Sequence, residues 1–337
     1  MRINKLNKII VILGQTATGK SDFAVEVAKK VKGEIISADS RQVYKGMNLG
    51  TGKITTKEMN GIPHYLLDVA SPSKVFSVID YKKMADKKIE EILKKGKTPI
   101  ICGGTGFYID TIVNGNVYPE VPPNKKLRDS LEKKSTEKLF EKLKKMDDNR
   151  AKTIDKNNKV RLIRAIEIAK ALGKVPPLNS TLSKSDTNSA PAEFVLLSQS
   201  PKFDVLKIGL TLPPEILKER IKVRLLSRIK KGMIKEVENL HKNGISWKRL
   251  NTLGLEYRYV ALYLQKKISK DEMIDKLNNE IWHYAKRQNT WFKRDKSIIW
   301  IDPRKNKEKN KVVKIVKQFC RDAENRLPRS QVLFHLR

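Results

Sequence analysis

Five short apolar runs punctuate the chain: "KIIVIL" (Lys8–Leu13), "EIISAD" (Glu34–Asp39), "TPIICGGTG" (Thr98–Gly106), "VLKIGLTL" (Val205–Leu212) and "SIIWID" (Ser297–Asp302). They are rich in β-branched residues and most end on glycine or aspartate, as buried parallel strands do. Between them the apolar period changes. Phe23, Ala24, Val27, Ala28 and Val31 fall on one face of a helix starting near Lys20, and a second helix is predicted over Tyr81–Lys95. Strands alternating with helices predict an α/β fold, a parallel sheet flanked by helices on both faces.

From about Asn116 to Leu172 the texture is helical, charged and free of strand signals. The segment "PPLNSTLSKSDTNSAPAE" (Pro176–Glu193) then reads as a flexible connection, so the middle of the chain is expected to be a helical insertion domain. After Leu212 the pattern stays mostly helical to Lys296, and no internal repeat is visible. The expected organisation is a first core segment 1–115, an insertion with its return loop 116–195, a second core segment 196–303 and a basic extension 304–337. In that extension "RKNKEKNK" is too polar to fold alone and is expected to be loosely attached. Val312, Val313, Ile315, Val316 and Phe319 have the spacing of a short docked helix.

Charge adds a partner to this picture. Lys and Arg number 71 against 37 Asp and Glu, a formal net charge of +34. A polyanion such as nucleic acid is one reading, and a lysine-rich solvated surface is the other. No apolar run approaches the roughly 18 residues that span a bilayer. Two distant cysteines and four scattered histidines argue against a disulfide framework or a zinc site. The basic start followed by an apolar run imitates a signal peptide. That run leads straight into a phosphate loop, so it is read as the first strand of a cytoplasmic protein.

That loop, "GQTATGKS", places Gly14, Gln15, Thr16, Ala17, Thr18, Gly19, Lys20 and Ser21 between a strand and a helix. Its glycines let backbone N–H groups converge on phosphate oxygens, and the helix N-terminus adds partial positive charge. Lys20 supplies a full charge and Ser21 is the candidate Mg²⁺ ligand. The pattern marks a phosphate site, not a reaction. Asp39 stands at the carboxyl end of the second strand, on the edge where open α/β sheets bind ligands. It can accept a proton, help hold Mg²⁺, or simply cap a helix. No apolar run ends in a Walker-B-like aspartate and no N-K-x-D is present, which disfavours motor and GTPase readings.

Seven ordered motifs sharpen the reading: "GQTATGKS", "DSRQVY" (Asp39–Tyr44), "GGTGFY" (Gly103–Tyr108), "RLIRAIE" (Arg161–Glu167), "GMIKEV" (Gly232–Val237), "LGLEYR" (Leu253–Arg258) and "YAKRQNTWFKR" (Tyr284–Arg294). Together, over about residues 8–302, the chain resembles the tRNA dimethylallyltransferases, the bacterial tRNA isopentenyltransferases. It departs from them in having Gln15 where Pro is common and Val160 where Gln often precedes the Arg161 motif. The segment after Pro303 has no counterpart among the motifs.

The resemblance implies a P-loop NTPase-like core whose loop holds dimethylallyl diphosphate with Mg²⁺ rather than ATP. The dimethylallyl group would pass to N6 of the adenosine 3′ to the anticodon in tRNA, with diphosphate released. It implies Asp39 as the base, with Lys20 and Arg224 neutralising the departing diphosphate. Asp39, Ser40, Arg41 and Gln42 would read the flipped adenosine, with Thr105 beside them. Arg128, Val160, Arg161, Leu162, Ile163 and Arg164 would meet the anticodon stem-loop. The enzyme so implied is a cytoplasmic monomer with no membrane partner. Trp291 and Phe292 are read as core residues rather than base-stacking platforms.

Three rival readings remain at this level. They are an adenylate isopentenyltransferase acting on free AMP or ADP, an ATP-dependent small-molecule kinase, and a non-catalytic RNA-binding protein. The charged insertion disfavours the first, "DSRQVY" with "GGTGFY" the second, and the intact Lys20, Ser21 and Asp39 the third.

Overall fold

The computed structural model describes residues 6–116, 118–176 and 203–321. They form two compact units, divided at Gly115 and Asn116, with the chain back in the first unit by Phe203.

The first unit is built on a six-stranded, wholly parallel sheet. Its strands are β1 (Asn7–Gly14), β2 (Gly33–Ser37), β3 (His64–Tyr65), β4 (Thr98–Gly103), β5 (Phe203–Leu210) and β6 (Ile299–Ile301). Their order is β3-β2-β4-β1-β5-β6, and every neighbouring pair is parallel. The five apolar runs are thus five of the strands. The sixth, β3, has two residues and left no periodic trace.

The period of two along β1 divides the core. Ile9, Val11 and Leu13 join one apolar cluster, while Ile10 and Ile12 join another on the opposite face. Helix α1 (Lys20–Val31) lies on the second face through Phe23, Ala24, Val27 and Ala28. The short α2 (Thr56–Met59) starts with a capping box between Thr55 and Glu58. On the first face lie α3 (Val78–Lys94), begun by a capping box between Ser77 and Asp80, and α4 (Gly106–Val113).

The second unit holds α5 (Lys125–Glu132), α6 (Thr136–Met146), α7 (Asp148–Thr153) and α8 (Lys159–Leu172). It contains no strand among the described residues. Leu131, Leu139, Leu143, Leu162 and Ile166 are each fully buried at its centre. Residues 177–193 of the expected flexible connection lie outside the described residues.

The chain re-enters the first unit at β5 and continues through α9 (Pro214–Lys230), α10 (Met233–Lys242), α11 (Trp247–Leu253), α12 (Leu255–Leu264) and α13 (Lys270–Phe292). Proline at the first position of α9 suits a helix start, where its missing N–H is not needed. Phe292 is buried and Trp291 donates its indole N–H to Asp110 at 2.9 Å, so both are packing residues as expected.

After β6 the structure departs from expectation. Asn306–Arg321 is one continuous helix, α14, and includes most of the polar stretch expected to be loose. Val312 and Val316 are buried against the α1 side of the sheet. The polar start is held locally: Glu308 accepts the Asp302 N–H at 2.8 Å, Lys305 pairs with Glu308 at 3.0 Å, and Lys309 reaches Glu26 of α1 at 2.8 Å. No helix among the described residues is long and apolar enough to cross a membrane.

Candidate active site

Strand β1 lies between β4 and β5, so the chain leaves it at the point where connections run to opposite sides of the sheet. Such a switch point opens a crevice at the carboxyl ends of the strands. The phosphate loop fills it. Gly19 has φ of 88°, a left-handed value that favours glycine, and from there the chain turns into α1. Two side chains of the loop point inward and brace it: Thr18 Oγ1 donates to the Gln15 carbonyl at 2.8 Å, and Gln15 Nε2 donates to the Ala285 carbonyl at 3.2 Å. Gln15, the departure from the usual proline, is therefore a strut to α13.

Over the loop opens a cavity of about 660 Å³, lined by the phosphate loop, Asp39, Gln42, the turn at Gly103 and Gly104, Asn48, Leu49, residues 51–55, and α9. Lys20 donates to the Gln15 carbonyl at 2.5 Å. Burial, with a contribution from Arg224, lowers the Lys20 pKa to about 8. Arg224 reaches the Thr16 hydroxyl at 3.5 Å and the Gly52 carbonyl at 3.4 Å. Burial and the neighbouring Arg228 push its pKa down to about 10. Arg228 touches Glu256 at 3.4 Å. Three cations thus converge; burial disfavours the charge of Lys20 and Arg224, and a bound anion would relieve both.

Asp39 accepts the Arg41 N–H at 2.8 Å and the Gln42 N–H at 3.4 Å, both through Oδ1. This turn fixes the carboxylate at the cavity wall. Thr105 accepts the Ser40 N–H at 3.0 Å, joining the Asp39 turn to the glycine turn after β4. Gln42 is held at both ends, by Ser37 and by the Gly52 carbonyl, each at 3.3 Å. Arg41 is exposed. Ser21 and Asp22 line the cavity from the first turn of α1. Hydroxyl and carboxylate oxygens with open coordination suit a hard divalent cation that keeps waters and takes phosphate oxygens. No group of three or more His, Cys, Asp or Glu among the described residues forms a protein cage for a metal.

Sequence reasoning gave no role to several residues here. Gln288 accepts the Thr16 N–H at 2.8 Å and donates to the Gly104 carbonyl at 2.8 Å. Tyr284 lines the cavity, hydrogen-bonded to Thr105, with burial raising its pKa so that the phenol stays neutral. Both lie in "YAKRQNTWFKR". The available signal was their i, i+4 spacing, which puts them on one face of α13. Arg228 repeats Arg224 one turn later on α9.

In the second unit the sequence-nominated residues separate. Val160 and Arg161 are exposed. Leu162 and Ile163 are 0% and 5% exposed in the core, so their side chains offer no surface to RNA; the helical period turns them inward. Arg128 and Arg164 both bind Glu167, with Arg128 Nη2 and Arg164 Nη1 each 2.6 Å from Oε2. Burial alone would raise the Glu167 pKa, but these bonds and the Asn124 N–H hold it at about 2.

The family model described as IPP transferase matches residues 42–295. A tRNA dimethylallyltransferase 2 of Treponema denticola is 46% identical over 286 residues, covering 85% of this chain and 91% of that protein. The tRNA dimethylallyltransferase of Acetivibrio thermocellus is 38% identical over 318 residues, covering 93% of this chain and 97% of the other. Among solved structures, the Bacillus halodurans tRNA isopentenylpyrophosphate transferase aligns with a TM-score of 0.68 at 31% identity, over 94% of this chain and 98% of that one. A eukaryotic dimethylallyltransferase acting on tRNA aligns with a TM-score of 0.76 at 25% identity, over 96% and 81%.

Proposed function

Since the chain belongs to the IPP transferase family, we propose that it transfers a dimethylallyl group from dimethylallyl diphosphate to N6 of the adenosine 3′-adjacent to the anticodon in tRNA. The observation that carries this reading is the convergence of Lys20, Arg224 and Arg228 on one cavity, with the Asp39 carboxylate at its wall.

The diphosphate sits against the loop amides from Gly14 to Ser21, with Lys20 and Arg224 on its oxygens. The C1–O bond of the allylic diphosphate breaks with both electrons going to oxygen, and the cations stabilise the charge that develops there. The adenine N6 lone pair forms the new C1–N bond, and Asp39 takes the N6 proton as it forms. The products are the N6-prenylated adenosine and diphosphate. Mg²⁺, held through Ser21 and substrate oxygens, would add charge neutralisation at the diphosphate.

The target base must leave its stack to enter the cavity. Ser40, Arg41, Gln42 and Thr105, at or beside the Asp39 turn, are assigned to the flipped base. Val160 and Arg161 are assigned to the anticodon stem-loop, and Arg128 and Arg164 to holding the helix that presents them, through Glu167. The net charge of +34 supports a macromolecular polyanion over free AMP. The two described cysteines are both unpaired, which suits the reducing cytoplasm, and the enzyme is taken to act as a monomer.

Labelled dimethylallyl diphosphate or labelled ATP, offered with unmodified tRNA or with AMP, tests the reading. Label transfer to tRNA alone is expected. Transfer to AMP, or from ATP, would overturn it.

A further inference from the structure

Two motifs, "GMIKEV" and "LGLEYR", contain no residue used so far in binding or chemistry. Their side chains meet under the loop that follows the adenosine-reading segment. Glu236, on α10, accepts the N–H groups of Asn48 at 2.9 Å, Leu49 at 2.7 Å and Gly50 at 3.0 Å. It also accepts the hydroxyl of Tyr257, on α12, at 2.7 Å. One carboxylate therefore takes four donors, three of them consecutive backbone amides, which is the capacity of its two oxygens.

The same loop turns two of its carbonyls toward the arginines of α9. The Gly50 carbonyl accepts from Arg228 and the Gly52 carbonyl from Arg224, each at 3.4 Å. Gly52 also accepts from Gln42. The fit is close. Gly52 has φ of 59°, and a Cβ there would stand 1.7 Å from Arg228 Nη2 and 2.3 Å from Arg224 Nη2. A Cβ at Gly50 would stand 2.6 Å from the Tyr257 ring. The guanidinium groups thus lie against bare backbone, and Glu236 fixes where that backbone is.

We propose that Glu236 is a positioning residue for diphosphate binding: by holding the amides of Asn48, Leu49 and Gly50 it sets the carbonyls of Gly50 and Gly52, and through them Arg224 and Arg228. The inference rests on the reading that these arginines clamp the diphosphate. Charge-assisted bonds to backbone amides are about twice as strong as neutral ones. A glutamine at this place turns an NH₂ group toward amides that need an acceptor. The loop then loses its anchor while the loop amides and Lys20 of the phosphate site stay in place.

The test uses inorganic pyrophosphate binding to the full chain, read beside the KM for tRNA. Glu236→Gln is expected to weaken pyrophosphate binding about tenfold or more, with tRNA KM changed less than about twofold. In the Arg224→Ala, Arg228→Ala background the same substitution is expected to cost nothing further, because the groups it positions are gone. An equal loss in that background, or a fall in melting temperature with unchanged pyrophosphate affinity, overturns the proposal. Should Glu236→Gln fail to fold, Gly52→Ala displaces the arginines from the other side. It is expected to weaken pyrophosphate equally, and unchanged affinity there counts against the proposal. If Arg224→Ala with Arg228→Ala leaves pyrophosphate affinity intact, it is the diphosphate clamp itself that fails.

Discussion

Burial, and after it the facing Arg224, lower the pKa of Lys20. The two cations face one cavity from α9 and from the start of α1, and burial plus this repulsion leaves the Lys20 ammonium with a pKa of about 8. The protonated form binds the anion. Affinity for dimethylallyl diphosphate is therefore expected to be flat below pH 8 and to fall above it, by up to about tenfold per pH unit. Binding near pH 8 should take up protons, visible by calorimetry in buffers of different ionisation enthalpy. In Arg224→Ala the fall should move to higher pH. An affinity flat to pH 9.5 in the unmodified protein would remove Lys20 from the site.

Asp39→Asn keeps the side chain's shape and its acceptor oxygen for the Arg41 N–H but removes its basicity. The single-turnover rate on saturating tRNA is expected to fall about 10²–10⁴-fold, with little change in dimethylallyl diphosphate affinity. An unchanged rate would leave Asp39 only its turn-forming role.

Gln288→Leu leaves the Thr16 N–H and the Gly104 carbonyl without their partner. Orphaning buried backbone groups costs about 1–3 kcal/mol. Denaturant unfolding should show that loss, and pyrophosphate affinity should drop because the loop is freed. Normal stability with normal affinity would mean the bridge is dispensable.

Arg161 and Arg164 of the second unit should part company. Arg161→Ala is expected to weaken tRNA binding and lower its salt slope by about one, with stability unchanged. Arg164→Ala uncovers Glu167, and should lower stability above all. Glu167 has its pKa depressed from 4.5 to about 2, so its contribution is complete above pH 4.5 and is lost as pH falls from there toward 2. Acid unfolding of the unmodified protein over that window, and its displacement in Arg164→Ala, are the measurements. Equal tRNA defects in both variants with no stability change would contradict the division.

What the sequence made legible follows from range. Lys8–Leu13, Thr98–Gly103 and Val205–Leu210 read as strands because both faces of the sheet are covered, so each run is mostly apolar. The phosphate loop and Asp39 were legible because a local pattern, strand then turn, builds them. Glu236 and Gln288 were not, because each acts on backbone groups far away in the chain, and backbone amides carry no sequence signature. Leu162 and Ile163 were nominated with their motif, yet the helical period around Arg161 and Arg164 already separates inward from outward positions. The polar stretch from Asn306 misled because its composition suits disorder in isolation, whereas Glu26 of α1 supplies a partner that composition does not reveal.

Helix α14 bears on how the protein is made. Lys8 donates to the Phe319 carbonyl across 311 positions, and Val312 and Val316 cover the same face as α1. During synthesis the ribosome will have released the phosphate-loop helix long before its cover exists. Its strand also waits for β5, which pairs along the whole of β1. Such long-range closure makes folding slow and leaves an apolar surface bare on the nascent chain. The first unit thus keeps an apolar face uncovered on the nascent chain until residues 306–321 emerge.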